Sequence, residues 1–255
     1  MDAYHNKPGI KKSSLIVGRQ PIIEAIQSGR PIDKILFQHN VTGDSIGAIR
    51  QLARDNNIPI QQVPPEKLNA LTKANHQGCI AIAGLVQYLE LQQVIDHVVG
   101  TGASPLFVIL DGVTDVRNIG AIVRTAVCCG AQAIIIPDKG VGALNEEAMK
   151  ASAGALEKIH VCRVNSLMKA VDTLHLNGIK VYASEMKATK KVYELPYTEP
   201  CCIIMGSEDK GVFSGLLKIC DEVFNIPMAG EFESLNVSVA TGIILYEAMK
   251  QRMAL

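Results

Sequence analysis

The residues best placed to do chemistry lie in three turns of the second half of the chain. The first, VILDGVTDVRNIGAIVRTA, carries Asp111, Asp115, Asn118 and Arg124. The second, CCIIMGSEDKGV, carries Gly206, Ser207, Glu208 and Gly211. The third runs from Ile226 through Met228 to Ser234, Leu235 and Asn236, then straight into an apolar segment ending near Arg252. The first two turns follow short apolar runs that read as strands, and ligands of open α/β sheets gather at the C-terminal ends of such strands. Asn118 can cap the helix that follows, its side-chain oxygen taking a free backbone N–H. If both residues are helical, the six-residue step to Arg124 sets them on nearly opposed azimuths; an Asn118 in the loop lets both face one site. Taken alone, this turn is better explained as an ordinary N-cap with a surface arginine. Gly206 and Gly211 let backbone groups line a cleft, although such a loop is also a common α/β connection. Ser234 and Asn236 precede a helix N-terminus, whose unpaired amides and positive dipole end favour anions or polar ligand groups. The residues alone thus describe a cleft made of three turns, with no carboxylate or histidine cluster to hold a metal.

The elements that must carry these turns form a βαβα pattern from Leu106 onward. LFVILDG, AIIIP, KIHVCRV, KVYASEM, CCIIMG and EVFNIPM are short apolar runs closed by turn residues, as expected of parallel strands buried on both faces. Helices are expected over Ile119–Cys129, Glu146–Leu156, Leu167–Asn177 and Val237–Met253. No G-x-G-x-x-G or Walker lysine loop follows any strand, so a dinucleotide-type fold is not indicated. The front part also alternates. Pro21 and Gly29 bracket a helix, KILFQH reads as a strand, and Ile46, Ile49, Leu52 and Ala53 share one helix face. IPIQQV, a helix opened by Pro65–Glu66, and CIAIAGLV complete it. The expected division is residues 1–88 (with 1–14 a mobile basic tail), a linker over 89–104 containing GTGAS, and a second α/β domain over 105–255.

The 255 residues, 48% of them apolar, suffice for a large core and argue against disorder. No apolar run reaches the roughly 18–20 residues of a membrane span, and the basic MDAYHNKPGIKKSS has no apolar stretch behind it, so no secretory signal is expected. Seven cysteines without a C-x-x-C or zinc spacing read as small buried hydrophobes in a reducing cytoplasm. Net charge is zero but uneven: residues 1–88 hold ten Lys/Arg against six Asp/Glu, and residues 105–255 hold fifteen against seventeen. A modestly basic front half is compatible with phosphate contact.

In order and spacing, the three turns resemble the motifs of the SpoU (TrmH-type) RNA ribose 2′-O-methyltransferases, over roughly Leu106 to Arg252. GRQPIIEAI at Gly18–Ile26 and HQGCIAIA at His76–Ala83 resemble the ribosomal-protein-like RNA-binding domain of members that methylate 23S rRNA guanosines. The resemblance implies a trefoil-knotted parallel-sheet domain that takes a methyl group from S-adenosylmethionine without a metal, and a homodimer formed partly by the final helix. It implies Asn118, Arg124, Ser234 and Asn236 as catalytic-site residues. Gly206, Ile226 and Leu235 match positions whose backbone holds the cofactor, with Glu208 and Met228 in the same loops. Two departures stand out: Val116 where the family often has proline, and Asp209 where it often has glycine. Large-subunit rRNA is the expected partner, with tRNA, or a catalytically silent RNA-binding role, as alternatives.

Overall fold

The computed structural model describes residues 14–230 and 234–253. The expected basic tail therefore lies, up to residue 13, outside the described residues. Contacts divide the chain into one unit ending at Gln87 and a second beginning at Tyr88.

The first unit has strands β1 (Leu15–Val17), β2 (Ile32–Gln38), β3 (Ile60–Val63) and β4 (Cys79–Ala83), and helices α1 (Arg19–Gln27), α2 (Asp44–Asp55) and α3 (Pro65–Leu71). The sheet order is β1-β4-β2-β3, with only the β2–β3 pair parallel. Alternation along β2 decides the layering. Ile35 and Phe37 join Ile22, Ile46 and Ile49 of α1 and α2, whereas Leu36 joins Leu68 of α3. Both faces of β2 are covered where Ile35, Leu36 and Phe37 follow one another without a polar residue between them.

The second unit is one eight-stranded, all-parallel sheet in the order β10-β12-β9-β11-β6-β7-β8-β5. Its strands are β5 (Tyr88–Leu89), β6 (Leu106–Asp111), β7 (Ala133–Pro137), β8 (His160–Val164), β9 (Lys180–Ser184), β10 (Lys190–Lys191), β11 (Cys201–Gly206) and β12 (Glu222–Asn225). Its helices are α4 (Leu91–Gly100), α5 (Val116–Cys128), α6 (Glu146–Ala151), α7 (Leu167–Leu176), α8 (Ser214–Leu217) and α9 (Val237–Met253). One sheet face, with Phe107, Ile109, Cys202 and Ile204, packs on α4, α7 and α8 through Val94, Leu174 and Leu216. On the other side, α9 contacts both β11 and α5.

Residues 89–104 are not a free linker. Tyr88 and Leu89 pair with β8, and Leu91, Val94, Ile95 and Val98 of α4 are buried in the main core. Only 101–104 remain a turn, opened by Gly102 at φ +78°. Of the seven cysteines, five are buried, whereas Cys128 is exposed and Cys220 half-buried. Burial pushes the Cys162 thiol up to about 12, so it stays protonated and packs as a small apolar side chain.

Arg252, near the end of α9, holds that helix against the N-terminal ends of the central strands. Its Nε donates to Tyr197 O (2.7 Å), Nη1 to Ser104 O (2.7 Å), and Nη2 to Pro105 O (2.8 Å) and Glu199 O (3.0 Å). At the same end of the sheet, Asp221 accepts from Val181 N (2.8 Å), Lys180 Nζ (3.1 Å) and His175 Nε2 (2.8 Å). Burial works against its charge, but these donors outweigh burial and hold the carboxyl below its usual range. A depressed folded-state value means stability that is present above the unfolded pKa and is lost as pH falls through the folded one. The midpoint of thermal unfolding is therefore expected to drop as pH falls below about 4. Asp221→Asn should lower the midpoint at neutral pH and flatten that acid limb; an unchanged acid limb in the variant contradicts this assignment.

Candidate functional site

The first two turns leave the sheet side by side. Asp111 and Gly206 are the last paired residues of β6 and β11, and the Asp111 carboxylate accepts from Phe213 N (2.6 Å) just beyond the second turn. That turn folds back on itself: Ser207 and Gly211 form an isolated bridge, and Gly211 adopts φ +65°. A Cβ on Gly206 would lie 2.0 Å from Gly211 C and 2.2 Å from Val212 N. Glycine is thus required at Gly206 for backbone to approach backbone.

The first turn enters α5 with a different cap from the one expected. Asp115 is the N-cap, accepting from Arg117 N at 2.8 Å, and Asn118 is already helical. Both residues are capping types three positions apart, and the aspartate takes the role because the helix starts at Val116. With Asn118 and Arg124 both helical, roughly 100° per residue sets them about 120° apart rather than opposed. Gly120 does permit a close approach, but to α6: a Cβ there would lie 2.5 Å from Ala151 Cβ and 2.7 Å from Ala148 O. Buried Ile119, Ile122, Val123 and Ala126 fix the inward face, leaving Arg124 exposed.

A single carboxylate oxygen joins all three turns. Glu208 Oε1 accepts from Asn118 Nδ2 (2.9 Å), from Asn236 Nδ2 (2.7 Å) and, more weakly, from Val237 N (3.4 Å). Asn236 Nδ2 also donates to Asn118 Oδ1 (3.2 Å). Asn236 Oδ1 in turn caps α9, accepting from Ser238 N (2.9 Å) and Ser238 Oγ (2.6 Å). The carboxylate therefore sits at the positive end of a 17-residue helix, where negative charge is favoured. Hydrogen bonds to a charged acceptor are worth roughly 1.5–3 kcal/mol each when shielded and less at an exposed site such as this one.

Asn118, Glu208 and Asn236 are thus brought into direct contact. Ser234, Leu235 and Met228 are exposed, and Ile226 follows β12 directly. Arg124 makes no ion pair among the described residues. Ser238, which continues the polar side of the third turn, anchors the Asn236 cap; sequence reasoning missed Gly142, where a Cβ would lie 2.4 Å from Thr114 O. A glycine opposite a motif turn is the signal that could have found it.

The site suits a cofactor with a flat apolar part and polar edges. Met228 (44% exposed) and Leu235 (37% exposed) offer apolar surface, beside the half-buried turn at Gly206. S-adenosylmethionine fits this description. Among the described residues, no three His, Cys, Asp or Glu side chains converge to hold a metal ion. Gly206→Ala is expected to weaken S-adenosylmethionine binding at least tenfold by calorimetry, since a misplaced loop costs about 1–3 kcal/mol; unaltered affinity contradicts the close approach.

Comparison with known proteins gives a consistent result. Residues 105–246 match the SpoU rRNA methylase family, and residues 15–89 match the RNA 2′-O ribose methyltransferase substrate-binding family. A protein of Staphylococcus saprophyticus assigned to the TrmH family of tRNA/rRNA methyltransferases is 36% identical over 238 residues, covering 93% of this chain and 96% of that one. YacO of Bacillus subtilis, with the same assignment, is 33% identical, covering 93% and 95%. The SpoU methyltransferase AviRb from Streptomyces viridochromogenes, solved with its cofactor AdoMet, superposes with a TM-score of 0.61 at 24% identity, covering 98% of this chain and 96% of that one. The TrmH/SpoU tRNA modifying enzyme of A. aeolicus gives a TM-score of 0.53 at 29% identity, covering 64% of this chain and 85% of that one. Three turns joined through one carboxylate, and relatives matched along nearly their whole length, lead to one conclusion: this chain belongs to the SpoU family of S-adenosylmethionine-dependent RNA ribose 2′-O-methyltransferases.

Proposed function

We propose that the chain methylates the ribose 2′-hydroxyl of a guanosine in large-subunit (23S) rRNA, in the cytoplasm. The observation that carries this reading is the contact of Asn118, Glu208 and Asn236, which makes one site of three turns distant in sequence. The front unit, matched to a substrate-binding family over residues 15–89, supports a large structured RNA as the partner.

Bound S-adenosylmethionine supplies a methyl group already activated on a positively charged sulfur. The chain must therefore align the ribose oxygen and ease the loss of its proton. Gly206, Ile226, Met228, Leu235 and the Glu208 loop are the proposed cofactor-binding residues. Glu208 has a further role as a positioning residue, because its Oε1 is occupied by both asparagines. Asn236 is committed to neighbours through both of its amide atoms, whereas Asn118 keeps one Nδ2–H for the ribose. Ser234, exposed beside them, offers a hydroxyl.

Arg124 is proposed to hold the neighbouring phosphate and to stabilise the developing charge on the 2′-oxygen. A guanidinium is already protonated and cannot take the proton, so the proton passes to water as the O–C bond forms and the C–S bond breaks. The substrate surface is completed by a second copy of the chain. Val239, Ile243, Tyr246 and Met253 leave an apolar stripe exposed along α9, which a homodimer would cover.

The test is methyl transfer from labelled S-adenosylmethionine to separated rRNA and tRNA. Label is expected in large-subunit rRNA and should fall about 10²–10³-fold in Arg124→Ala, the usual cost of one lost charge-stabilising donor. Arg124→Lys should stay close to Arg124→Ala, since an ammonium lacks the planar fork. Label confined to tRNA overturns the substrate, and a full rate in Arg124→Lys overturns the role given to the fork.

A further inference from the structure

The first unit contains a polar groove far in sequence from the three turns. It encloses about 460 Å³ and is lined by Arg19, Gln20, Ser45 and Gln77. Three chain segments meet there: the start of α1, the start of α2 and the turn before β4. Arg19 is fixed in it rather than loose. Its backbone N donates to Gln77 Oε1 (3.2 Å) and its Nε to Gln77 O (3.1 Å). Gln77 holds φ +51° and Gly43 φ +122°, and a Cβ on Gly43 would come within 3.2 Å of Arg19 Nη1. The two terminal amino groups of Arg19 are thus oriented without being consumed. No carboxylate pairs with them among the described residues. Asp44, between Gly43 and Ser45, is exposed and is not among the lining residues.

The groove is donor-rich. Gln77 has committed its oxygen to Arg19, so its Nε2 amide hydrogens remain. Ser45 adds a hydroxyl. His76, next to Gln77 in the chain, has both ring nitrogens engaged, accepting from Gly78 N (3.0 Å) and contacting Asn69 Oδ1 of α3 (3.0 Å). Among the described residues no aromatic ring lines the groove, so it is not built to stack a base. An oriented, unpaired guanidinium beside amide and hydroxyl donors matches the two free oxygens of a phosphodiester.

We propose that this groove is a phosphate-binding site through which the front unit grips the backbone of its RNA substrate, with Arg19 as the principal ligand. The site rests on the reading of the chain as an RNA-modifying enzyme. It acts on binding and register, and the chemistry at Arg124 is separate from it.

The experiment uses the full chain and a 23S rRNA transcript, with affinity measured by fluorescence anisotropy across a salt series. Arg19→Gln should weaken binding about tenfold, the effect of a lost charged hydrogen bond, and should lower the slope of log K against log salt by about one. Arg54→Gln removes an equal charge at the far end of α2 and should leave both nearly unchanged. Ser45→Glu, which keeps the Arg19–Gln77 bonds and lies on an exposed helix start, should weaken binding at least as much as Arg19→Gln. In turnover, Arg19→Gln should raise KM for RNA while kcat and the cofactor Kd hold. Equal effects of Arg19→Gln and Arg54→Gln, or unimpaired binding by Ser45→Glu, overturn the site. A tRNA transcript run in parallel separates the two claims. Arg19-dependent binding to tRNA alone overturns the rRNA reading and keeps the site, whereas no RNA binding by the unaltered chain overturns both.

Discussion

The Glu208 carboxylate is the point on which the arrangement of the second unit depends. Its Oε1 is shared by Asn118 from the turn after β6 and Asn236 from the cap of α9. Without an acceptor there, the two Nδ2 groups would lose their shared partner at the end of a helix dipole, and the longer Asn236 Nδ2 to Asn118 Oδ1 bond (3.2 Å) would be left to join the third turn to the first. The charge is placed where it costs least, at an amide-rich N-terminus with solvent access. Glu208 thereby ties the three turns together, while Arg124 and Ser234 are exposed.

The same helix is fixed at its other end by different means. Arg252 there donates to four backbone carbonyls at the strand beginnings, so α9 spans the sheet from one edge of its strands to the other. Glycine sets the remaining tolerances. At Gly206, Gly120 and Gly142 the neighbouring chain comes so close that a methyl group would sit within 2.5 Å of another heavy atom. At each of them the space beside the α-carbon is filled by neighbouring protein atoms, so a side chain would push the segments apart.

Much of this was legible in the sequence, for identifiable reasons. The strands β6, β7, β8, β9, β11 and β12 read as apolar runs because a parallel sheet buries both faces. The site residues stood out because amides and glycines followed those runs directly. Other features were hidden. Residues 89–104 look like a linker because β5 has only two residues and GTGAS follows α4, although Leu91 to Val98 are core. Asp115 and Asn118 compete for one cap, and only the start of α5 at Val116 decides between them. The role of Glu208 depends on partners 90 and 28 residues away, which no local pattern reveals. The groove around Arg19 likewise needs three segments to converge.

The claim that the three turns act as one unit through Glu208 is tested most directly by a double-mutant cycle on cofactor affinity. S-adenosylmethionine binding would be measured calorimetrically for the unaltered chain, Glu208→Gln, Asn236→Ala and the double variant. Residues sharing one hydrogen-bond network couple by roughly 0.5–3 kcal/mol, so the double variant should lose less than the two single losses together, by about 1 kcal/mol. Losses that simply add would contradict the account, because they would mean that Glu208 and Asn236 serve the cofactor independently.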